Sequence, residues 1–430
     1  MSDTISSTHI LDELEWRGLV QQVAGPDLRE HLSRSRVVYA GFDPTADSLH
    51  VGSFIPLMTL RRFQQTGHRP IALVGGATGM IGDPSGKSEE RNLLAEDVLH
   101  ANVEGIQRQL RRFLDFSGPH AAVVVNNYDW MKEFSYLQFL RDIGKHAPLG
   151  MMLAKESVRA RLESEAGLSY TEFSYMLLQG YDFVHLARTY GCTVQLGGTD
   201  QWGNITVGID LARRLDGVQL YGLTGPLLTR ADGVKMGKTE RGAVWLDPEK
   251  TSPYAFYQYW INVADEDVGH CLRYLTELDA ATIAELDAAR AEAPHLRQSQ
   301  KRLAEELTRI VHGEAGLAVA RHATEIFFGA EIENLDDRSL SDIFADVPSR
   351  ELPRTRLEEG LSLIDALVES GLASSKGEAR RTIQQGGAYV NNIRRTELGT
   401  VLTPADLASE SMMVLRKGKK RYALLRFPTS

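Results

Sequence analysis

Only two cysteines, Cys192 and Cys271, occur in 430 residues. Two cannot build a disulfide framework, and no Cys/His cluster suggests zinc, so the usage fits a reducing compartment. Uninterrupted apolar runs long enough to cross a bilayer are missing too. The N-terminal stretch carries Asp3, Asp12, Glu13 and Glu15, which does not read as a secretory leader. No internal repeat or low-complexity tract is evident. These absences set aside membrane, secreted and fibrous classes and leave the expectation of a cytoplasmic enzyme. What is present is ordinary for a globular chain: 43% hydrophobic and 24% charged residues, at a length allowing about three domains.

Charge is unevenly placed. The net value is −9, yet residues 371–430 hold 11 Lys+Arg against 4 Asp+Glu. An acidic body with a basic end points to a polyanionic partner met at that end, or simply to a solvated basic face.

The stretch Tyr39-Ala-Gly41-Phe-Asp43-Pro-Thr45-Ala-Asp-Ser-Leu-His50-Val-Gly52-Ser53 organises the chain. It leaves an apolar β-type run, passes a Gly/Asp/Pro turn and enters a helical pattern from Phe54 to Gln65. A strand delivering a polar turn onto a helix N-terminus makes an anion site, because free N–H groups and the helix dipole face the turn. His-x-Gly alone recurs by chance. Its weight comes from a second element, Lys235-Met-Gly-Lys238-Thr239, where two lysines flank a glycine and can reach one anion.

Between these elements the apolar segments Arg36–Phe42, Ile71–Val74 and Ala121–Val125 alternate with helical patterns. Continuously apolar strands separated by helices predict a parallel sheet covered on both faces. Ligands then bind beyond the strands' carboxyl ends, where Tyr39–Asp43, Gly75–Asp83 and Asn126–Tyr128 should converge. Gly82-Asp83-Pro-Ser-Gly-Lys87-Ser88 fails as a Walker P-loop, because Ile81 stands five before Gly86. A glycine-rich loop presenting Lys87 and Arg91 to phosphates, or a solvated loop, remains. Ser174–Val184 reads as a helix with Tyr175, Gln179 and Asp182 at i, i+4 and i+7 on one face; spacing alone does not say whether this stripe lines a pocket or meets solvent. Val194-Gln-Leu-Gly-Gly198-Thr-Asp200-Gln201-Trp-Gly-Asn204 is again strand, glycine turn, helix, with Asp200 placed for ribose hydroxyls.

Helical spacing continues from Ser252-Pro253 to Phe328, where the aromatic run from Tyr254 to Trp260 reads as packing. Polar residues 331–358 read as a linker. The last unit opens near Leu361 with a capping-box pattern, Ser375-Lys-Gly-Glu378, on a helix carrying Arg380-Arg381. A basic hairpin around Gly418, with Lys417, Lys419 and Lys420, closes it. Together these could form a phosphate-binding face.

The pairing of Leu49-His-Val-Gly-Ser53 with Lys235-Met-Gly-Lys-Thr239 resembles the two signatures of class I aminoacyl-tRNA synthetases. Tyr39-x-Gly-Phe-Asp-Pro-Thr45, Tyr175-x-x-x-Gln179-x-x-Asp182 and Gly198-Thr-Asp-Gln-Trp-Gly-Asn204 resemble the bacterial tyrosyl branch, over essentially the whole chain. The resemblance implies an α/β fold: a Rossmann-like parallel-sheet catalytic domain over 1–229 with a dimer-forming insertion at about 128–195. A signature-loop and α-helical anticodon-side domain (230–345), a linker (346–358) and a small α+β RNA-binding domain (359–430) would follow. It implies L-tyrosine, ATP with Mg²⁺ and tRNA(Tyr) as partners, no tightly bound cofactor or protein metal site, and a homodimer formed around Trp130–Ala154. Tyr39 and Asp182 would meet the substrate phenol; Asp83, Tyr175 and Gln179 would hold its ammonium group. Gly41, Asp43, Gly52, Ser53, Gly198, Asp200 and Gln201 would contact the adenylate. Thr45, His50, Lys235, Lys238, Thr239, Lys87 and Arg91 would stabilise the phosphates, while Arg380, Arg381, Lys417, Lys419 and Lys420 would meet tRNA. Ser53 stands where the family usually has a second histidine; it can donate a hydrogen bond but carries no charge. A tryptophan-specific relative, a non-catalytic RNA-binding regulator and a P-loop phosphotransferase are the competing readings. Tyr39 with Asp182, the retained lysines and Ile81 respectively count against them.

Overall fold

The computed structural model describes residues 9–85, 94–163, 167–239, 242–332, 335–345, 347–419 and 421–428. Two compact units emerge, Met1–Lys250 with Asn262–Leu303, and Thr251–Ile261 with Ala304–Ser430.

The first unit is built on six strands: β1 (Gln22–Ala24), β2 (Val37–Phe42), β3 (Arg69–Val74), β4 (Val123–Asn126), β5 (Cys192–Gly198) and β6 (Tyr221–Gly225). Their order is β1-β6-β5-β2-β3-β4. The last five are parallel, as their continuous apolarity predicts, and only β1 runs antiparallel, on β6. Residues 8–33 read as helices from sequence, so β1 is a correction. It is a three-residue edge strand held by main-chain pairing to Gly222–Thr224, with no apolar alternation to reveal it.

Residues 262–303 belong to this unit rather than to a separate helical domain beginning near 230. Two buried guanidinium groups account for that. Arg17 donates to the carbonyls of Arg273, Thr276 and Leu278, and Arg62 to those of Tyr274 and Thr276. These are the orphan carbonyls at and just beyond the end of the helix Asp265–Leu275. Burial, with Arg17 close by, brings the Arg62 guanidinium down to about 9.

The glycine-rich run after β3 opens with a short helix, Gly76–Ile81, which its composition does not suggest. Its first amides are capped from a distant segment: Asn126 Oδ1 accepts from Gly76 N at 3.2 Å and Asn127 Oδ1 from Ala77 N at 2.7 Å. A Cβ on Gly76 would fall 2.2 Å from Asn126 Oδ1, so glycine is required by the cap itself.

The stripe-bearing helix spans Tyr170–Tyr190, longer than the sequence suggests. A Ser169/Glu172 capping box opens it, and Gly191 in the left-handed region closes it. Glu172 also holds Arg161 through two 2.8 Å bonds in a buried ion pair.

In the second unit, Phe256 and Trp260 are fully buried, so the aromatic run packs as expected. After the two-stranded β7 (Lys238–Thr239) and β8 (Gly242–Ala243) of the first unit, strands β9 (Ser349–Glu351), β11 (Ala388–Val390), β12 (Ile393–Arg395), β14 (Met412–Lys417) and β15 (Arg421–Arg426) form one sheet in the order β12-β11-β14-β15-β9, and β10 (Leu361–Ser362) pairs with β13 (Val401–Leu402). β9 lies in the segment expected as a linker, 346–358. Its three side chains are all exposed, and it is held by parallel main-chain pairing to β15, so no hydrophobic pattern marks it. The basic hairpin turns at Gly418 (φ +64°) as expected. The capping box at Ser375 is only half formed. Ser375 accepts from Glu378 N, but the Glu378 carboxylate goes to Ser374 and Lys417.

Candidate functional site

The segment after β2 enters a tight turn, Val51–Ser53, and then the helix Phe54–Gln65. His50 caps that turn, its Nδ1 accepting from Gly52 N at 2.9 Å. Accepting there places the ring proton on Nε2, so the outward nitrogen is a donor. A Cβ on Gly52 would lie 2.6 Å from His50 Cε1, so only glycine lets the ring fold over its own turn.

The second signature element is tied to this turn by main chain. Val51 N donates to Val244 O and Leu246 N to Leu49 O, both at 2.9 Å, and His50 pairs with Trp245. Val244 N in turn donates to Gly237 O at 2.8 Å. Gly237 has φ +93°, and a Cβ on it would sit 3.2 Å from Gly52 N. The two loops therefore touch, backbone against backbone, on one wall of a cavity of about 310 Å³.

On the same wall, Gly198 ends β5, and Asp200 sits in the turn Thr199–Gln201 that leads into the helix Trp202–Asp216. Lys235 Nζ lies 3.8 Å from Asp200 Oδ2. Burial pushes the Asp200 carboxyl up and Lys235 opposes it.

The far end of the cavity is polar and enclosed. Asp182 is 1% exposed; its Oδ1 accepts from Trp130 Nε1 at 2.9 Å and its Oδ2 from Asn127 Nδ2 at 3.0 Å. Burial brings its carboxyl up to about 7 against the pull of those two donors. Tyr39 is 1% exposed, and its hydroxyl meets no partner among the described residues; the same holds for Gln195 Oε1. Buried polar atoms are satisfied as a rule, and both of these orphans line the cavity. Tyr175 donates its hydroxyl to Asp43 at 3.1 and 3.3 Å, leaving its oxygen able to accept. Asp83 accepts from Gln201 Nε2 at 2.6 Å and Ser85 N at 2.9 Å, and Gln179 Oε1 accepts from Asn204 Nδ2 at 2.9 Å.

The cavity is lined by Tyr39, Gly41, Asp43, Thr45, His50, Gly52, Ser53, Asp83, Tyr175, Gln179, Asp182, Gly198, Asp200, Gln201 and Lys235. Thr239 is not in its wall; its exposed hydroxyl donates to Gly242 O at 3.1 Å on the small hairpin β7 (Lys238–Thr239) and β8 (Gly242–Ala243). Of Lys238 the backbone alone is described, and Lys87, Arg91 and Lys420 lie outside the described residues. In the second unit Arg380, Arg381 and Lys419 are exposed, whereas Lys417 is ion-paired with Glu378. That pair holds the Glu378 carboxyl down to about 2.

Thr78 and Asn127 lie in segments expected to converge, yet no site role for them, or for Trp130, Gln195 and Asn204, is read from the sequence. Thr78 donates to Asp43 at 3.3 Å and accepts from Asn127 at 3.0 Å, joining the carboxylates of Asp43 and Asp182. The available signal was position: Asn126-Asn127 directly follow an apolar strand's carboxyl end, and Asn204 closes a quoted motif.

A family model described as tRNA synthetases class I (W and Y) matches residues 32–329, and the tyrosine–tRNA ligase C-terminal domain matches 339–425. The tyrosine–tRNA ligase of Rhodopirellula baltica is 59% identical over 429 residues, covering 99% of this chain and 98% of the relative. The chain belongs to the tyrosine–tRNA ligase family of class I synthetases. A second ligase, from Roseiflexus castenholzii, is 56% identical over 97% of this synthetase and 99% of its own length. Among solved structures, a C-terminally truncated mitochondrial tyrosyl-tRNA synthetase from Coccidioides posadasii matches with TM-score 0.64 and 33% identity, covering 74% of this chain and 92% of that one. A tryptophanyl-tRNA synthetase from Encephalitozoon cuniculi shares the fold at TM-score 0.54 and 14% identity, covering 77% and 90%. Fold alone therefore does not select the amino acid.

The buried carboxylate gives this synthetase a measurable pH signature. The Asp182 carboxyl stands at about 7 against an ordinary 3.8, so between those values the folded state keeps a proton that the unfolded state releases. Stability from this group falls as pH rises through that window and levels above it, by on the order of 4 kcal/mol in all. Asp182→Asn should remove the slope: its unfolding midpoint, relative to the parent, should climb from about pH 4.5 to about pH 7.5. A pH-independent difference would contradict the assignment.

Proposed function

We propose that this chain ligates L-tyrosine to tRNA(Tyr), first activating tyrosine with ATP. The observation that carries this is one cavity with two unlike ends. Tyr39 and Asp182 are buried at one, and the His50–Ser53 turn meets Gly237 at the other. A phenol fits the first end, since its hydroxyl can donate to Asp182 and accept from Tyr39. Asp83, Tyr175 and Gln179 lie along the wall for the ammonium group. Gly41, Asp43, Gly198, Asp200 and Gln201, which line the cavity, would contact the adenosine, and Ser53 would add one further donor.

In the first step the tyrosine carboxylate oxygen bonds to the α-phosphorus of ATP and the bond to pyrophosphate breaks. The nucleophile is already ionised, so no base is needed; alignment and charge stabilisation suffice. His50 Nε2–H and Thr45 would donate to the phosphates, with Lys235, Lys238 and Thr239 on the leaving pyrophosphate and Lys87 and Arg91 supporting it. In the second step a terminal ribose hydroxyl of the tRNA attacks the tyrosyl carbonyl and AMP leaves. Mg²⁺ would be carried on the β- and γ-phosphates. Phenylalanine would leave Tyr39 and Asp182 unsatisfied; the tyrosyl enzyme is itself the standard illustration of that rule, so this outcome is not new here.

Arg380, Arg381 and Lys419, with Lys417 and Lys420, form the proposed tRNA contact. The reading extends to a cytoplasmic homodimer, supported by large apolar side chains left exposed at Tyr136, Leu137, Leu149, Leu162 and Tyr170. Sedimentation at twice 47.7 kDa is expected, and a single-chain mass would refute the dimer.

Amino-acid-dependent ATP–pyrophosphate exchange tests the activity. Tyrosine alone should support exchange; equal or better exchange with tryptophan would overturn the choice of substrate. Lys235→Ala should slow exchange roughly 100-fold with tyrosine binding little changed, the scale of one lost charge contact to the transition state. The double change Arg380→Ala, Arg381→Ala should spare exchange and weaken charging; unaltered charging would remove these arginines from the tRNA contact.

A further inference from the structure

The phenol-recognising carboxylate, on the reading above, is bonded by an indole at the edge of the core that includes Tyr39, Tyr181 and Phe183. Trp130 lies on a single helical turn, Tyr128–Met131, whose first amide donates to Asn126 Oδ1 at 3.0 Å. A turn this short has no stability of its own. The indole N–H nevertheless meets Asp182 Oδ1 at 2.9 Å. That bond runs in the ring plane, so a tilt of the ring breaks it.

His185 supplies a flat surface against that ring. Its imidazole stacks on the Trp130 indole with centroids 4.2 Å apart and planes within 13°. It sits three residues after Asp182 on the helix Tyr170–Tyr190, so the carboxylate and the stacking ring share one helical face. We propose that His185 is a positioning residue for tyrosine selection: by stacking on Trp130 it fixes the indole N–H on Asp182 and so sets the carboxylate that meets the phenol. Burial and then Arg188 hold the imidazole below its ordinary value, so it stacks as a neutral ring at neutral pH. Its Nε2 lies 3.4 Å from Thr189 Oγ1, which adds a second restraint to the ring.

The test uses the full chain in tyrosine-dependent pyrophosphate exchange. His185→Ala should raise KM for tyrosine about tenfold, the lower end for losing a hydrogen bond to a charged group. KM for ATP and kcat should stay within about twofold, and kcat/KM for phenylalanine should barely move, so discrimination falls. His185→Phe restores a flat ring and should return KM for tyrosine to within about twofold of the parent. Trp130→Phe, which keeps a ring but removes the N–H, should match His185→Ala, and the double variant should be no worse than Trp130→Phe alone. An unchanged KM for tyrosine in His185→Ala, a Phe variant as poor as Ala, or losses that multiply in the double variant would each overturn the proposal. If His185→Ala does not fold, His185→Leu against His185→Phe makes the same comparison at similar volume. A parent inactive with tyrosine sinks the functional reading and this proposal together; an active parent with an indifferent His185→Ala sinks this proposal alone.

Discussion

Two main-chain hydrogen bonds, Val51 N to Val244 O and Leu246 N to Leu49 O, hold the site together. They join segments far apart in the chain. Without them the turn that begins at His50 and the loop that begins at Lys235 would be separate surface features, each too common to mean anything. With them, Gly237 abuts Gly52 and the two elements face one cavity. Side chains decorate this contact, but backbone makes it, which is why glycines occupy both sides of the approach. His50 is part of the same geometry. Its ring accepts from the amide of its own turn, so its other nitrogen carries the ring proton.

The opposite end obeys a different constraint. Asp182, Asp43 and Asp83 stand at the carboxyl ends of the sheet or on the helix above it, and burying the first and last and half-burying Asp43 demands partners. Asp182 takes Trp130 and Asn127, Asp43 takes Tyr175 and Thr78, and Asp83 takes Gln201 and Ser85. Tyr39 and Gln195 retain polar atoms without a partner among the described residues. Both line the cavity, within reach of any ligand held there.

The parallel sheet was readable in the sequence because both its faces are covered, which makes Val37–Phe42 or Ile71–Val74 continuously apolar. The Tyr175, Gln179, Asp182 stripe was readable because helical spacing alone puts those residues on one face, although only the structure shows that this face lines the cavity. What stayed hidden depended on distant partners. The run after Gly75 reads as loop by composition, yet it is helical because Asn126 and Asn127 cap it from another strand. β1 and β9 carry no side-chain pattern, since main-chain pairing is what holds them. Glu378 satisfies Ser374 and Lys417 rather than completing its own capping box, a choice that a local motif does not encode.

Hydrogen exchange at single-residue resolution tests the backbone contact most directly. The amides of Val51, Val244 and Leu246 should exchange slowly in the free protein, as members of one paired segment, and more slowly still with ATP and tyrosine present. Exchange of these three amides at the rate of open loops, unaffected by either ligand, would mean that the two elements do not form one site.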